Sequence, residues 1–393
     1  MLWIAIHSLV VVVFVNRYIS GFLLRMYRGK NWDETVEGFV PTVTVVIPLF
    51  NEGAAIQETL RSVLDSDYPA DKLAIVCIDD CSSDDSYEQA CEIARGDRRL
   101  TVIRNERNLG KRTSINQAVK RATSEIIVSV DSDVIIDRNA IRQLMRRFSR
   151  PEIAAVGGWV DVRNKSDNWL TRMQVVKYWY SYYVMRNIEW GFRRVMCLSG
   201  CLTAYRRSVL LELAPVLEHR AILGVPIKYG EDRFLTRQIV KAGYLTTVTL
   251  DARCRTFVPS TLYAYFSQQL RWRRSNVIDY SSGAGHVWRL NPLLAIHWFS
   301  MAIVLVIYPI GVYRAIAAHK LMAALAVHLA ILVGFGLNYR WRVRKWPAHE
   351  RVGALSYLPQ AIVMPIANAL MTPLALFTLD SASWETRNHD PQS

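Results

Sequence analysis

The stretch TVTVVIPLFNE, residues 42–52, decides the fold. Its β-branched run has no helical periodicity, closes on Pro48 and reads as a buried strand over Thr42–Pro48. Ala54–Leu64 has the apolar spacing of a helix, and Leu73–Ile78 is a second strand ending in Asp79-Asp80. Glu88–Ala94 is helical, Leu100–Arg104 a third strand and Lys111–Ala122 a further helix. Ile126–Val130 is a fourth strand, ending in Asp131-Ser132-Asp133. Alternation at this spacing predicts an α/β domain with a parallel sheet and helices on both faces. Ligands of such sheets bind at the carboxyl ends of the strands. Asn51, Glu52, Asp79, Asp80, Asp131 and Asp133 all fall there.

The rest of the chain carries a different signal. Of 393 residues 51% are apolar, with 12 Trp, 18 Tyr and a formal charge of +14, which excludes a disordered or fibrous protein. Leu2–Leu24 is nearly all apolar but interrupted by Asn16 and Arg17, and spans a bilayer only if Arg17 reaches a headgroup or snorkels. Its positive charges follow the apolar run, which argues for a retained anchor over a signal peptide. Further apolar segments are Leu290–Tyr313, Leu321–Leu337 and Leu355–Leu379, the last weakened by Pro359, Pro365 and Pro373. Arg340, Arg342, Arg344, Lys345 and Arg351 lie between the last two, and positive loops stay in the cytosol. The organisation expected is an anchor over 1–30, a cytosolic domain with interfacial helices over 31–285, and about three spans over 286–393. The basic residues cluster beside apolar spans, which favours a lipid surface over nucleic acid. Six cysteines form no disulfide framework; the spacings of Cys77/Cys81 and Cys197/Cys201 come nearest to a zinc pattern, but reduced thiols are the preferred reading.

Asp131 and Asp133 flank one small residue at a strand end, where two carboxylates can hold a hard divalent cation completed by substrate phosphates. Asp at such a place also serves as a turn or cap residue. Asn108-Leu109-Gly110-Lys111-Arg112 opens a helix with a glycine and two cations, suited to a diphosphate or to plain solvation. Gly230-Glu231-Asp232-Arg233 precedes the helical Phe234–Ala242; its acids are dipole partners, or one is a general base. Gln268, Arg271 and Trp272 share a helix face in a basic, amphipathic stretch. Trp169–Trp190 is a second aromatic segment, interfacial or core.

Taken in order, Val46–Glu52, Asp79-Asp80, Gly110-Lys111-Arg112, Asp131-Ser132-Asp133, Ser199-Gly200-Cys201, Gly230–Arg233 and Gln268-x-x-Arg271-Trp272 resemble the processive family 2 glycosyltransferases. These are the hyaluronan synthases, rhizobial chitooligosaccharide synthases, and chitin and cellulose synthases. The likeness covers about residues 40–280, and Trp384-Glu385-Thr386-Arg387 resembles the ending of the first two groups. It implies a GT-A (Rossmann-like) cytosolic domain with N- and C-terminal transmembrane helices in the inner membrane, using a UDP-sugar and a growing oligosaccharide. Asp79 would bind the uridine side, with Asn51, Glu52 and Lys111 nearby. Asp131 and Asp133 would hold the nucleotide and Mg2+ or Mn2+, with Asp133 nearest the metal. Asp232, beside Glu231, would be the base, Arg271 would neutralise the diphosphate, and Trp272, with Gln268, would meet the acceptor sugar. Cys201 stands where those families usually have Pro, which leaves the shape of the acceptor loop open.

Gly230-Glu231-Asp232-Arg233-x-Leu235-Thr236, Gln268–Trp272 and the span count resemble the chitooligosaccharide synthases. Leu223–Pro226 and Ala252-Arg253-Cys254 look more like hyaluronan synthases. UDP-N-acetylglucosamine with a β-1,4 product is the expectation, hyaluronan from UDP-GlcNAc and UDP-glucuronate the alternative. A non-processive lipid-linked sugar transferase and a non-catalytic membrane scaffold are the further readings.

Overall fold

The computed structural model of the chain describes residues 12, 13, 15–28, 38–218, 220–222, 225–227 and 229–379. Residues 1–11, 14, 29 and 30 of the N-terminal anchor, Leu223-Gly224 and Trp384–Arg387 lie outside the described residues. The chain divides into two compact units. One is built from Arg28–Asp161 and Arg193–Phe257, the other from the N-terminal residues through Tyr27 with Val162–Phe192 and Val258–Leu379.

The first unit is built on ten strands: β1 Val43–Leu49, β2 Leu73–Asp79, β3 Leu100–Arg104, β4 Ile126–Val130, β5 Val134–Ile136, β6 Ile153–Val162, β7 Leu202–Arg206, β8 Ala221–Ile222, β9 Val225–Pro226 and β10 Leu245–Thr256. Eight form one sheet in the order β3-β2-β1-β4-β7-β6-β10-β5, and β8-β9 is a separate hairpin. β1, β2, β3 and β4 are parallel. Every side chain of β1 and β4 is buried, as strands covered on both faces require.

The all-parallel expectation is corrected beyond β4. β7 runs antiparallel to β4 and to β6, and β5 antiparallel to β10, so the sheet is mixed. The crossover helices that enforce parallel pairing are confined to the first half: Ala55–Leu64, Ser86–Gly96 and Lys111–Arg121. β6 lies between β7 and β10 and carries Gly157-Gly158 in its middle. A Cβ on Gly158 would stand 2.7 Å from the Ala252 carbonyl oxygen and 2.6 Å from Leu202 Cδ2. Backbone cannot yield there as a side chain does, so Gly158→Ala is expected to lower stability by about 1–3 kcal/mol. Thermal unfolding of the purified protein checks this; an unchanged midpoint would refute the close approach.

The second unit is helical. Helix Trp169–Tyr178 starts on a capping box in which Asn168 accepts from Leu170 and Thr171 backbone N–H and Thr171 accepts from Asn168 N–H. It continues through a π-helical turn, Trp179–Met185, to Arg186–Trp190. Leu170, Met173, Val175 and Val176 are buried, so this aromatic segment is in good part core. Leu262–Leu290 is capped by Thr261, and Asn291 caps Pro292–Ala317 at the joint between the two helices. Among the described residues one helix, Leu321–Arg342, is long and apolar enough to cross a membrane. The last apolar segment is short helical pieces, with a π turn at Ala367–Met371 between Pro365 and Pro373.

Asn16 and Arg17 find partners within the protein. The Arg17 guanidinium donates to Ser300 Oγ at 2.5 Å, its carbonyl accepts from His297 Nδ1, and Asn16 donates to the Leu293 carbonyl. A polar pair inside an apolar segment is tolerated when it finds partners within the protein.

Candidate active site

The carboxyl ends of β1, β2 and β4 adjoin in the sheet, which brings three acidic turns together. At the end of β1, Asn51 takes a left-handed conformation, φ 51°. Its N–H donates to Ser82 Oγ and its Oδ1 accepts from Ser83 N–H, tying this turn to the one after β2. Glu52 accepts from Ser132 Oγ at 2.9 Å, tying it also to the turn after β4.

After β2 the two aspartates have separate duties. Asp79 is fully buried and accepts from Ser82 N–H, Ser82 Oγ and Arg104 Nε. Burial raises its pKa, while Ser82 and Arg104 pull the other way. Asp80 accepts from the backbone N–H of Leu109 at 2.9 Å and Gly110 at 2.7 Å and from Asn105 Nδ2. Asp80 therefore shapes the turn that delivers Lys111. Sequence reading put Asp80 at the strand end without a task, because its partners lie about thirty residues onward.

Lys111 is the centre of the arrangement. Its Nζ lies 2.5 Å from Asp131 Oδ1 and 3.1 Å from Glu231 Oε1. Burial draws its pKa down, but Asp131, Glu231 and Asp232 outweigh that and hold it well above the usual lysine range. Lys111 thus stays an ammonium among carboxylates. Gly200 leaves room for it: a Cβ there would sit 2.8 Å from Lys111 Nζ and 3.2 Å from Asp131 Oδ1.

Asp133 is buried and accepts from Thr256 Oγ1 at 2.7 Å. Among the described residues no three or more His, Cys, Asp or Glu side chains form a ligand cage. Asp131 and Asp133 are two hard oxygen donors, and Mg2+ or Mn2+ is usually held by one or two carboxylates with phosphates completing the shell. The donor set fits. Cys201 lies in the field of both: burial first, then Asp131 and Asp133, push its thiol upward, so it stands there as a neutral group.

Glu231 and Asp232 lie inside the first turn of helix Glu231–Lys241, not before it. Asp232 Oδ1 accepts from the Arg233 N–H at 2.7 Å, and Thr236 Oγ1 donates to the Asp232 carbonyl at 2.7 Å. Burial and the neighbouring Glu231 raise the pKa of Asp232, while Lys111 and Arg233 oppose this. Arg220, which sequence reading did not single out, donates to the carbonyls of Tyr229 at 2.6 Å and Gly230 at 3.0 Å and lies over the Phe234 ring. It braces the turn that opens this helix, and an Arg after an unremarkable helix gave no signal of that.

Gln268, Arg271 and Trp272 belong to the other unit, on helix Leu262–Leu290. Trp272 is 36% exposed; its ring has Tyr178 at 6.5 Å and the ammonium of Lys177 at 5.5 Å. The structure therefore links Asn51, Glu52, Asp79, Lys111, Asp131, Asp133, Glu231 and Asp232 within one unit and sets the remaining three on one helix of the second.

The family described as "Glycosyltransferase like family 2" matches residues 41–275. An N-acetylglucosaminyltransferase of Rhizobium meliloti (strain 1021) is 31% identical over 357 residues, covering 90% of this chain and 83% of that protein. One of Rhizobium leguminosarum bv. viciae is 31% identical over 353 residues, 88% and 82% of the two chains. One of Azorhizobium caulinodans is 35% identical over 241 residues, but the match spans 61% of this chain and 60% of that protein. Among solved structures, a mannosyltransferase from Pyrobaculum calidifontis in complex with GDP-Man and Mn2+ superposes with a TM-score of 0.59 at 22% identity, covering 92% of this chain and 98% of that one. That likeness concerns the fold.

Proposed function

The chain belongs to the family 2 glycosyltransferases, and from that premise we propose that it is a membrane-bound, processive, inverting enzyme that extends a β-1,4-linked chitooligosaccharide with N-acetylglucosamine from UDP-N-acetylglucosamine. The name borne by its relatives supports the sugar. The observation that carries the reaction is Lys111 held between Asp131 and Glu231, with Asp232 in the same electrostatic field.

In this reading Asn51, Glu52 and Asp79 border the uridine, and Lys111 turns from the carboxylates toward the diphosphate. Asp133 and Asp131 would hold Mg2+ or Mn2+, which when bound shares the charge of the departing UDP. Asp232 takes the proton of the acceptor hydroxyl as that oxygen attacks the anomeric carbon from the side opposite UDP, which inverts the configuration. One protein carboxylate suffices because the leaving group needs no protein acid, unlike glycoside hydrolysis with its two. Arg271 neutralises the diphosphate and Trp272, beside Gln268, stacks on the acceptor sugar. Leu321–Arg342 and the basic residues after it support a bilayer anchor with the catalytic unit on the cytosolic side.

Purified protein given UDP-GlcNAc and Mn2+ is expected to release UDP and to yield a ladder of products by mass. Polymer formed only when UDP-glucuronate is added would replace this reading with hyaluronan synthesis. Product found on polyprenyl phosphate would replace it with lipid-linked transfer.

A further inference from the structure

Lys177 sits against the face of the helix that carries Trp272. Its Nζ lies 2.7 Å from Gln269 Oε1, 3.2 Å from the Tyr265 hydroxyl and 5.5 Å from the centroid of the Trp272 ring. The next cation along that helix is engaged elsewhere: Arg273 donates to Asn368 Oδ1 and Thr372 Oγ1. Gln269 itself is 7% exposed.

A lysine ammonium carries donors only, so it selects the oxygen of the amide and leaves the amide N–H2 as the group to be satisfied. Gln269 Nε2 is buried and has no hydrogen-bond partner among the described residues; the same holds for Oε1 of Gln268, one residue back. A buried amide donor left unmatched costs about 1–3 kcal/mol, which a ligand oxygen can recover. Burial and the Arg273 guanidinium bring the Lys177 pKa down to about 7. The amine form still places an N–H on Oε1 while its lone pair accepts the Tyr265 O–H, so both forms hold the amide in one sense.

We propose that Lys177 is a positioning residue for acceptor recognition: it lies against the Trp272 ring and fixes the Gln269 amide so that Nε2 donates to an oxygen of the bound saccharide, a ring hydroxyl or an acetamido carbonyl. This rests on Trp272 being the platform for the acceptor sugar, as proposed above. Lys177 acts through its neighbours, whereas Gln269 touches the sugar and sets which oxygen is accepted.

The test uses the full chain in detergent with UDP-GlcNAc as donor and a β-1,4-linked GlcNAc trisaccharide as acceptor, reading separate KM values. Lys177→Met is expected to raise the acceptor KM about tenfold more than the donor KM, the size of one lost hydrogen bond. Gln269→Glu keeps a partner for the lysine but removes the N–H2, and is expected to do the same. Lys177→Arg, which keeps a donor on Oε1, is expected to recover most of the difference. Equal shifts in the two KM values for Lys177→Met, or a wild-type acceptor KM for Gln269→Glu, would overturn the proposal. Trp272→Ala run alongside separates the two ideas. If it leaves the acceptor KM unchanged, the platform assignment fails; if it raises that KM while Lys177→Met and Gln269→Glu do not, the present inference fails alone.

Discussion

Asp232→Asn is expected to keep UDP binding and to lose sugar transfer by on the order of 10²- to 10⁴-fold, the usual loss on removing a positioned general base. The substitution is nearly isosteric, and the backbone contacts that hold the position do not depend on the lost charge: Thr236 bonds the Asp232 carbonyl and Arg220 holds the preceding turn. Binding and chemistry should therefore separate. The pH profile gives a second reading. Because burial and Glu231 raise the Asp232 pKa, the carboxylate forms only at higher pH than an ordinary aspartate. Transfer then falls as pH drops through that raised value, and the acidic limb of the profile should lie above the usual carboxylate range. In Asp232→Asn that limb should vanish with the activity. Transfer by this variant at near the wild-type rate would remove Asp232 from the role and leave Glu231 as the carboxylate to examine.

How far such roles are visible in the amino-acid sequence depends on the distance between partners. The first four strands are readable from β-branched runs: β4 is buried throughout, β3 is a partly exposed edge strand, and each is followed by a turn of small or polar residues. The antiparallel half was not readable in the same way. β6 carries Gly157-Gly158 in its middle, normally a break in a strand pattern, and its glycines are there because Ala252 and Leu202 come close. The acidic turns were visible as strand ends. Their division of labour was not: Asp80 is set apart from Asp79 by Asn105 and the backbone N–H groups of Leu109 and Gly110, all about thirty residues onward. Arg17 read as a flaw in an apolar run because its partner, Ser300, is 283 positions away. Lys111 belongs to the same class. Its helix start suggested a phosphate site, but nothing near it in the chain announced Glu231.

Lys111→Met tests that long-range pairing with the largest expected cost to folding. Removing one member of a buried charge cluster leaves the others uncompensated, a loss of about 3–5 kcal/mol for fully buried pairs. Here Asp131 and Glu231 side chains each remain 21% exposed, so the expected loss lies toward the lower end of that range. It should be read as a lower unfolding midpoint in buffer with EDTA. Asp131 and Glu231 would then lack an internal cation, and Mn2+ added without nucleotide should stabilise the variant more than the wild type, whose ammonium competes for Asp131. A ligand at a hundred times its dissociation constant contributes about 2.7 kcal/mol, enough to restore much of the midpoint. Nucleotide-sugar binding should stay weak even when Mn2+ has restored the fold, because a metal at the carboxylates does not replace a lysine that reaches the diphosphate. A variant as stable as wild type in EDTA, or one whose midpoint Mn2+ leaves unmoved, would mean that the Lys111 ammonium is not what balances Asp131 and Glu231.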